Sequence, residues 1–157
     1  MPTTRLAVLS FALLAGLGAA AVFAEDAAIV IDPSIAGMSA DQKVAARQEA
    51  MKTDGKILRG SGSATGADAV KIATTVLQNM TNFPALFADG ATNSKSKALP
   101  VVWQQFDDFS GLFGKGQETA KAMLAAAKSG DSAGWQTSLK TMAGLCGDCH
   151  QQYREPL

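Results

Sequence analysis

Leu139-Lys-Thr-Met142-Ala-Gly-Leu-Cys146-Gly147-Asp148-Cys149-His150-Gln-Gln-Tyr153-Arg154 decides how the rest of the chain is read. Its centre is C-x-x-C-H, the spacing by which a haem is attached covalently to protein. The spacing has a geometric reason. At about 100° per residue on a helix, Cys146, Cys149 and His150 fall within roughly a 100° arc. One helix face can then present two thiols to the porphyrin vinyl groups and an imidazole to the iron. His150 is the only histidine in the chain, and Cys146 and Cys149 are its only cysteines. Two other chemistries use such a pair. A redox-active dithiol usually accompanies a βαβ pattern, which the sequence lacks. A structural zinc site wants four ligands, and no further Cys or His exists to complete one.

Upstream of the motif, Trp135, Leu139 and Met142 recur at helical spacing, and Asp131 after Ser129-Gly130 predicts the N-cap of this last helix. Working back, Val102, Phe106, Phe109 and Phe113 form an apolar stripe in a third helix. Pro100 fits its first turn and Lys128 its end. Gly111, Gly114 and Gly116 each disfavour a helix interior by about 0.8–1.0 kcal/mol relative to Ala, so a bend or break is expected there. Val70, Ala73, Leu77 and Met80 mark a second helix over about 67–82, expected to stop near Phe83-Pro84. Residues 89–97 read as a polar loop. Ser39-Ala-Asp-Gln42 has capping-box spacing and predicts a first helix running to about Arg59, ended by Gly60-Ser-Gly-Ser63. Residues 25–38 read as a loose lead-in. Four helical patterns and no alternating strand predict an all-α fold, an antiparallel four-helix bundle over 39–157 with one covalently bound haem.

Residues 1–24 read as a signal peptide. Arg5 precedes the apolar run from Leu6 to Phe23, and Val22-Phe23-Ala24 offers small residues for cleavage after Ala24. An uncleaved anchor is the competing reading, because a run of that length falls just inside the lower limit for crossing a bilayer. No cysteine near the end of the run can take a lipid. The expected mature protein is periplasmic and leaves no membrane segment behind.

The 157 residues are 47% hydrophobic and 18% charged, the range of one globular domain. Removing Arg5 with the leader leaves 13 basic against 14 acidic side chains, a formal charge of −1. That balance gives no footprint for nucleic acid. No metal-plus-base cluster, no nucleophile with a partnered histidine and no phosphate-cradling loop is present, so an enzyme is not expected.

In the commonest small cytochromes c the haem motif comes near the start of the chain. Here it comes near the end, and the whole resembles the cytochrome c′ family, four-helix c-type cytochromes that include low-spin, methionine-ligated members. The matching pieces are Cys146-Gly-Asp-Cys149-His150-Gln-Gln-Tyr153-Arg154 and Arg47-Gln-Glu-Ala-Met51-Lys52. Phe83-Pro-Ala-Leu-Phe87 and Leu99-Pro-Val-Val-Trp103 are weaker matches. The resemblance covers about residues 39–155. It implies haem c as cofactor, His150 as proximal iron ligand and the first helix over the distal side. It places Arg47 to meet a haem propionate and Met51, on the same helix face, towards the iron. Tyr153 and Arg154 fall among the haem surroundings by periodicity, and Arg154 resembles the family arginine beside the proximal histidine.

Met51 separates two mechanisms. A sulfur bound to iron gives a His/Met site with a raised potential, suited to electron transfer with redox partner proteins. A methionine that only packs leaves a five-coordinate haem open to nitric oxide or other small gases. The family uses methionine with either outcome; ligation is favoured here because no other nearby residue offers a ligand. Monomer and homodimer are both compatible with the sequence.

Overall fold

The first helix begins where its capping box lies. In a computed structural model describing residues 28–156, Ser39 Oγ accepts from the Gln42 amide at 3.3 Å, and Gln42 Oε1 accepts from the Ser39 amide at 2.8 Å. From that cap α1 runs over Ala40–Arg59. It is followed by α2 over Gly66–Phe87, a single-turn α3 over Val101–Gln104, α4 over Phe106–Ser129 and α5 over Ser132–Tyr153. The last of these also starts as predicted: Asp131 Oδ1 accepts from the Gly134 amide at 2.9 Å, and Gly130 turns the chain at φ 71°. The expected signal peptide lies outside the described residues.

The four long helices pack in the order α1, α2, α4, α5, each against the next. The core lies on the α2–α4 seam and spreads to α5, with Val76, Met80, Phe83, Phe87, Phe109, Phe113, Met123, Trp135 and Met142 all buried. Five of its aromatic rings interlock: Phe87 meets Phe109 edge-on at 4.7 Å, Phe113 meets Phe83 and Phe109 at 5.1 Å, and Tyr153 meets Phe109 at 5.0 Å. The architecture is the all-α four-helix bundle that the sequence predicts.

Three local expectations give way to packing. Helix α2 does not stop at Phe83-Pro84 but carries Pro84 inside it to Phe87. Proline removes the hydrogen bond to the carbonyl four residues back, here that of Met80, and Gln117 Nε2 reaches this oxygen from α4 at 3.4 Å. The extra turn also brings Leu86 and Phe87 into the core.

Helix α4 runs unbroken through Gly111, Gly114 and Gly116, and the break falls earlier, at Gln105, whose φ and ψ are −127° and 46°. A β-carbon at Gly116 would sit 2.7 Å from Met80 Sδ, so the glycine is what lets α4 lie close on α2. Packing of the Phe109, Phe113, Ala120 and Met123 face outweighs the low helix propensity of the three glycines.

The lead-in is not loose over its described part. Asp32 caps a 3-10 turn at Pro33–Gly37 by accepting from the Ser34 amide, and Ile35 is buried in the core. Asn82 and Gln78 of α2 hold the backbone of Asp32 and Val30.

Candidate functional site

Each long helix packs on the next, but α1 and α5 make little contact where they face one another, and there a cleft of about 560 Å³ opens. That volume is in the range of small-molecule and cofactor sites, about 300–1,000 Å³. Met80, Phe83, Phe109, Phe113 and Met142 make an apolar floor from α2, α4 and α5. Polar and charged groups stand on the walls and at the rim.

Helix α5 carries Cys146, Cys149, His150 and Tyr153 to one wall in its last two turns, and Arg154 follows at its C-cap. Both thiols are free and half-buried. Burial pushes the Cys149 thiol up to about 11, with Cys146 adding in the same direction. Burial also raises the Cys146 thiol, and the nearby charge of Asp54 adds to it. A redox-active dithiol has a depressed pKa, so this environment is opposite to the one a thiol oxidoreductase builds. His150 is half-buried; burial first, and the charge of Arg154 second, lower its pKa. The imidazole is therefore neutral at neutral pH and keeps a lone pair for a metal. Tyr153 is 3% exposed and packs its ring on Phe109.

The end of α5 is tied down by the loop before α3. Leu99 N donates to Tyr153 O and Glu155 N to Lys97 O, both at 2.9 Å, and Lys97 pairs with Glu155 at 2.9 Å. Ala98 and Arg154 form an isolated antiparallel bridge. The Arg154 Nε is buried and has no hydrogen-bond partner among the described residues.

Helix α1 supplies the opposite wall with Arg47, Met51 and Asp54, which share one face at three- and four-residue steps. Met51 is partly buried and packs against the core. Arg47 is 2% exposed, which rules out the solvated arginine that its polar neighbours in the sequence would imply. Its guanidinium donates to Leu86 O at 2.9 Å, Ala91 O at 2.7 Å and Ser96 Oγ at 3.0 Å, and lies 4.1 Å from the centre of the Phe87 ring. Burial pulls its pKa down to about 10, so it remains charged at neutral pH. Arg47 thus borders the cleft while holding the 88–99 loop in place, a role that no local pattern in the sequence announces.

Asp54 is buried as well: it is 4% exposed, with Oδ1 accepting from Asn79 Nδ2 at 2.7 Å and Oδ2 buried without a partner among the described residues. Sequence reasoning misses it, because Lys52-Thr-Asp54-Gly-Lys56 looks like a solvated stretch. Its one signal is the spacing of three from Met51 and seven from Arg47.

The donor set fits a covalently held haem. Two thiols and a neutral imidazole stand on one wall, a thioether on the other, and the floor between them is aromatic and apolar. The two buried polar side-chain atoms that lack partners among the described residues, Asp54 Oδ2 and Arg154 Nε, both belong to residues of this cleft. Buried polar groups are nearly always paired, so this pattern marks a place where a polar-edged ligand belongs.

The family model for cytochrome c′ matches residues 41–154. Cytochrome c-556 of Agrobacterium tumefaciens (strain B2A) is 43% identical over 89 residues, covering 56% of this chain and 71% of that protein. Cytochrome c′ of Pararhodospirillum photometricum is 31% identical over 116 residues, covering 69% of this chain and 93% of that protein. The crystal structure of cytochrome c′ from Thermochromatium tepidum matches with a TM-score of 0.68 at 20% identity, over 76% of this chain and 98% of that one. A nitric oxide complex of a mutant cytochrome c prime from Alcaligenes xylosoxidans matches at 0.63 and 22%, over 75% and 98%. At those two identities the likeness is one of fold. The family match runs from the first turn of α1 to the residue after α5 and leaves no long helix of the bundle outside it: the chain belongs to the cytochrome c′ family, whose members carry one covalently attached haem c.

Proposed function

We propose that this chain is a periplasmic one-haem electron carrier that docks transiently with redox partner proteins and catalyses no reaction of its own. The observation that carries the reading is the placing of Met51 on α1 and His150 on α5 along the same cleft, with an apolar floor between their helices. Cys146 and Cys149 would hold the haem by two thioether bonds, and His150 and Met51 would be the residues that offer nitrogen and sulfur to its iron. When bound, haem supplies one-electron chemistry at iron, and a His/Met ligand pair raises the potential. The protein's part is to orient and shield. Phe83, Phe109 and Phe113 keep water from the floor, His150 offers its neutral nitrogen, and Arg47 fixes the loop that flanks the α1 wall.

Absorption spectra of the oxidised and reduced holoprotein test this, recorded with and without carbon monoxide. A low-spin spectrum that ignores carbon monoxide is expected, with conversion to high-spin in Met51→Ala. A high-spin resting protein that binds the gas rapidly and stoichiometrically would sink the carrier reading. The second reading is a five-coordinate binder of nitric oxide or a similar gas. It draws on the solved nitric oxide complex that shares this fold, and it requires Met51→Ala to leave the resting spectrum unchanged.

A further inference from the structure

One buried charge in the cleft has no task in the carrier reading. Asp54 lines the cleft from α1, its Oδ1 bonded to Asn79 of α2 and its Oδ2 buried with no partner among the described residues. It is close enough to α5 for its charge to act on Cys146. Of the charged and titratable groups on this cleft, α1 contributes Arg47, Lys52 and Arg59, and the 88–99 loop contributes Lys97. From α5 come Cys146, Cys149, His150, Tyr153 and Arg154. Helices α2 and α4 give the cleft only apolar side chains and Gly116, and the α2 group against Asp54 is the neutral Asn79.

We propose that Asp54 is a redox-linked proton site, taking one proton from solvent as a one-electron donor reduces the haem and releasing it on oxidation. The proposal rests on the carrier reading and adds a proton to it. A carboxylate stripped of water on one side, with a single neutral hydrogen-bond donor, is poorly stabilised as an anion. Burial holds it up at about 7, with only the Asn79 hydrogen bond opposing, so both protonation states are reachable at neutral pH. Reduction removes one positive charge from the same low-dielectric cleft, which further disfavours the anion. Once protonated, the carboxyl gains a donor at an edge where one oxygen now has no partner among the described residues. Charge is conserved locally: the electron that enters at iron is matched by the proton that enters at Asp54.

The holoprotein's reduction potential, followed by spectroelectrochemistry from about pH 5 to 9, tests the coupling. Below the oxidised-state pKa of Asp54 and above its reduced-state pKa the potential is flat. Between the two it falls as pH rises, by up to a tenfold change in the reduction constant per pH unit, which is 59 mV for one electron. Asp54→Asn keeps the size and the neutral pairing with Asn79 and abolishes the slope, while the covalent haem and its spectrum remain. Asp54→Glu restores a slope. In reduced-minus-oxidised infrared spectra a protonated-carboxyl stretch appears in wild type, shifts in heavy water and is missing from Asp54→Asn. Asn79→Leu, which removes the bond favouring the anion, moves the sloping window to higher pH and covers the case in which Asp54→Asn does not fold. A flat potential in haem-loaded wild type, a slope unchanged in Asp54→Asn, or an unmoved window in Asn79→Leu overturns the proposal and leaves the carrier reading standing. Absence of covalent haem from wild type overturns both.

Discussion

Replacing Arg47 with methionine keeps the volume of the stem and removes the guanidinium from a position 2% exposed. Two carbonyl oxygens, those of Leu86 and Ala91, then lose a charged donor, and the Ser96 hydroxyl loses a third contact. Hydrogen bonds from charged groups contribute about 1.5–3 kcal/mol each, and the stacking on Phe87 adds on the order of 1 kcal/mol. The loop carrying Ala91 and Ser96 can turn partly to water, which recovers some of the loss. A net destabilisation of about 3–4 kcal/mol is expected, on the scale of a broken buried charge contact. Urea unfolding of the holoprotein, with hydrogen exchange of the 88–99 amides, measures it, and those amides should lose protection first. Arg47→Lys should recover less than half, because an ammonium cannot span three acceptors in a fork. If Arg47→Met unfolds within about 1 kcal/mol of wild type while its haem spectrum is altered, the arginine acts on the cofactor and not on the loop, and the reasoning is refuted.

The α4 glycines should respond in opposite directions. Gly111→Ala and Gly114→Ala meet nothing within 4 Å and should stabilise by up to about 1 kcal/mol, whereas Gly116→Ala drives a methyl into Met80 and should destabilise by about 1–3 kcal/mol, all read from urea midpoints. The raised Asp54 pKa, from an ordinary 3.8 to about 7, makes the folded state bind more protons than the unfolded one between those values. Its contribution to stability is therefore greatest at low pH and declines as pH rises through that window, so Asp54→Asn should flatten this part of the stability profile. Trp135→Phe breaks the 2.9 Å bond from the indole to Ser61 O and should cost about 1 kcal/mol or more, visible as a lowered thermal midpoint.

What the sequence made legible was whatever acts over a few residues. The Ser39 and Asp131 caps lie within three positions of the amides they bind, and the thiol pair and histidine share one helix face by spacing alone. What it hid depends on partners far along the chain. Pro84 reads as a stop until Gln117, in another helix, reaches the carbonyl it orphans. Gly116 reads as a breaker until Met80 occupies the space its missing side chain leaves. Arg47 and Asp54 sit in polar stretches, and their burial follows from the loop and the α2 face that close over them, 39 to 49 residues away for Arg47 and 25 for Asp54. Ile35 is hidden in the same way, as an apolar residue in a segment rich in turn formers.

The 88–99 loop is held to α1 by Arg47, through Ala91 and Ser96, and to the end of α5 by the strand-like pairing of residues 97–99 with residues 153–155. It therefore acts as a cross-tie between the two helices that flank the cleft and otherwise make little contact with each other. Spreading the walls requires the tie to stretch, so the spacing between the methionine side and the histidine side is set by a stretch of chain that itself bears neither group.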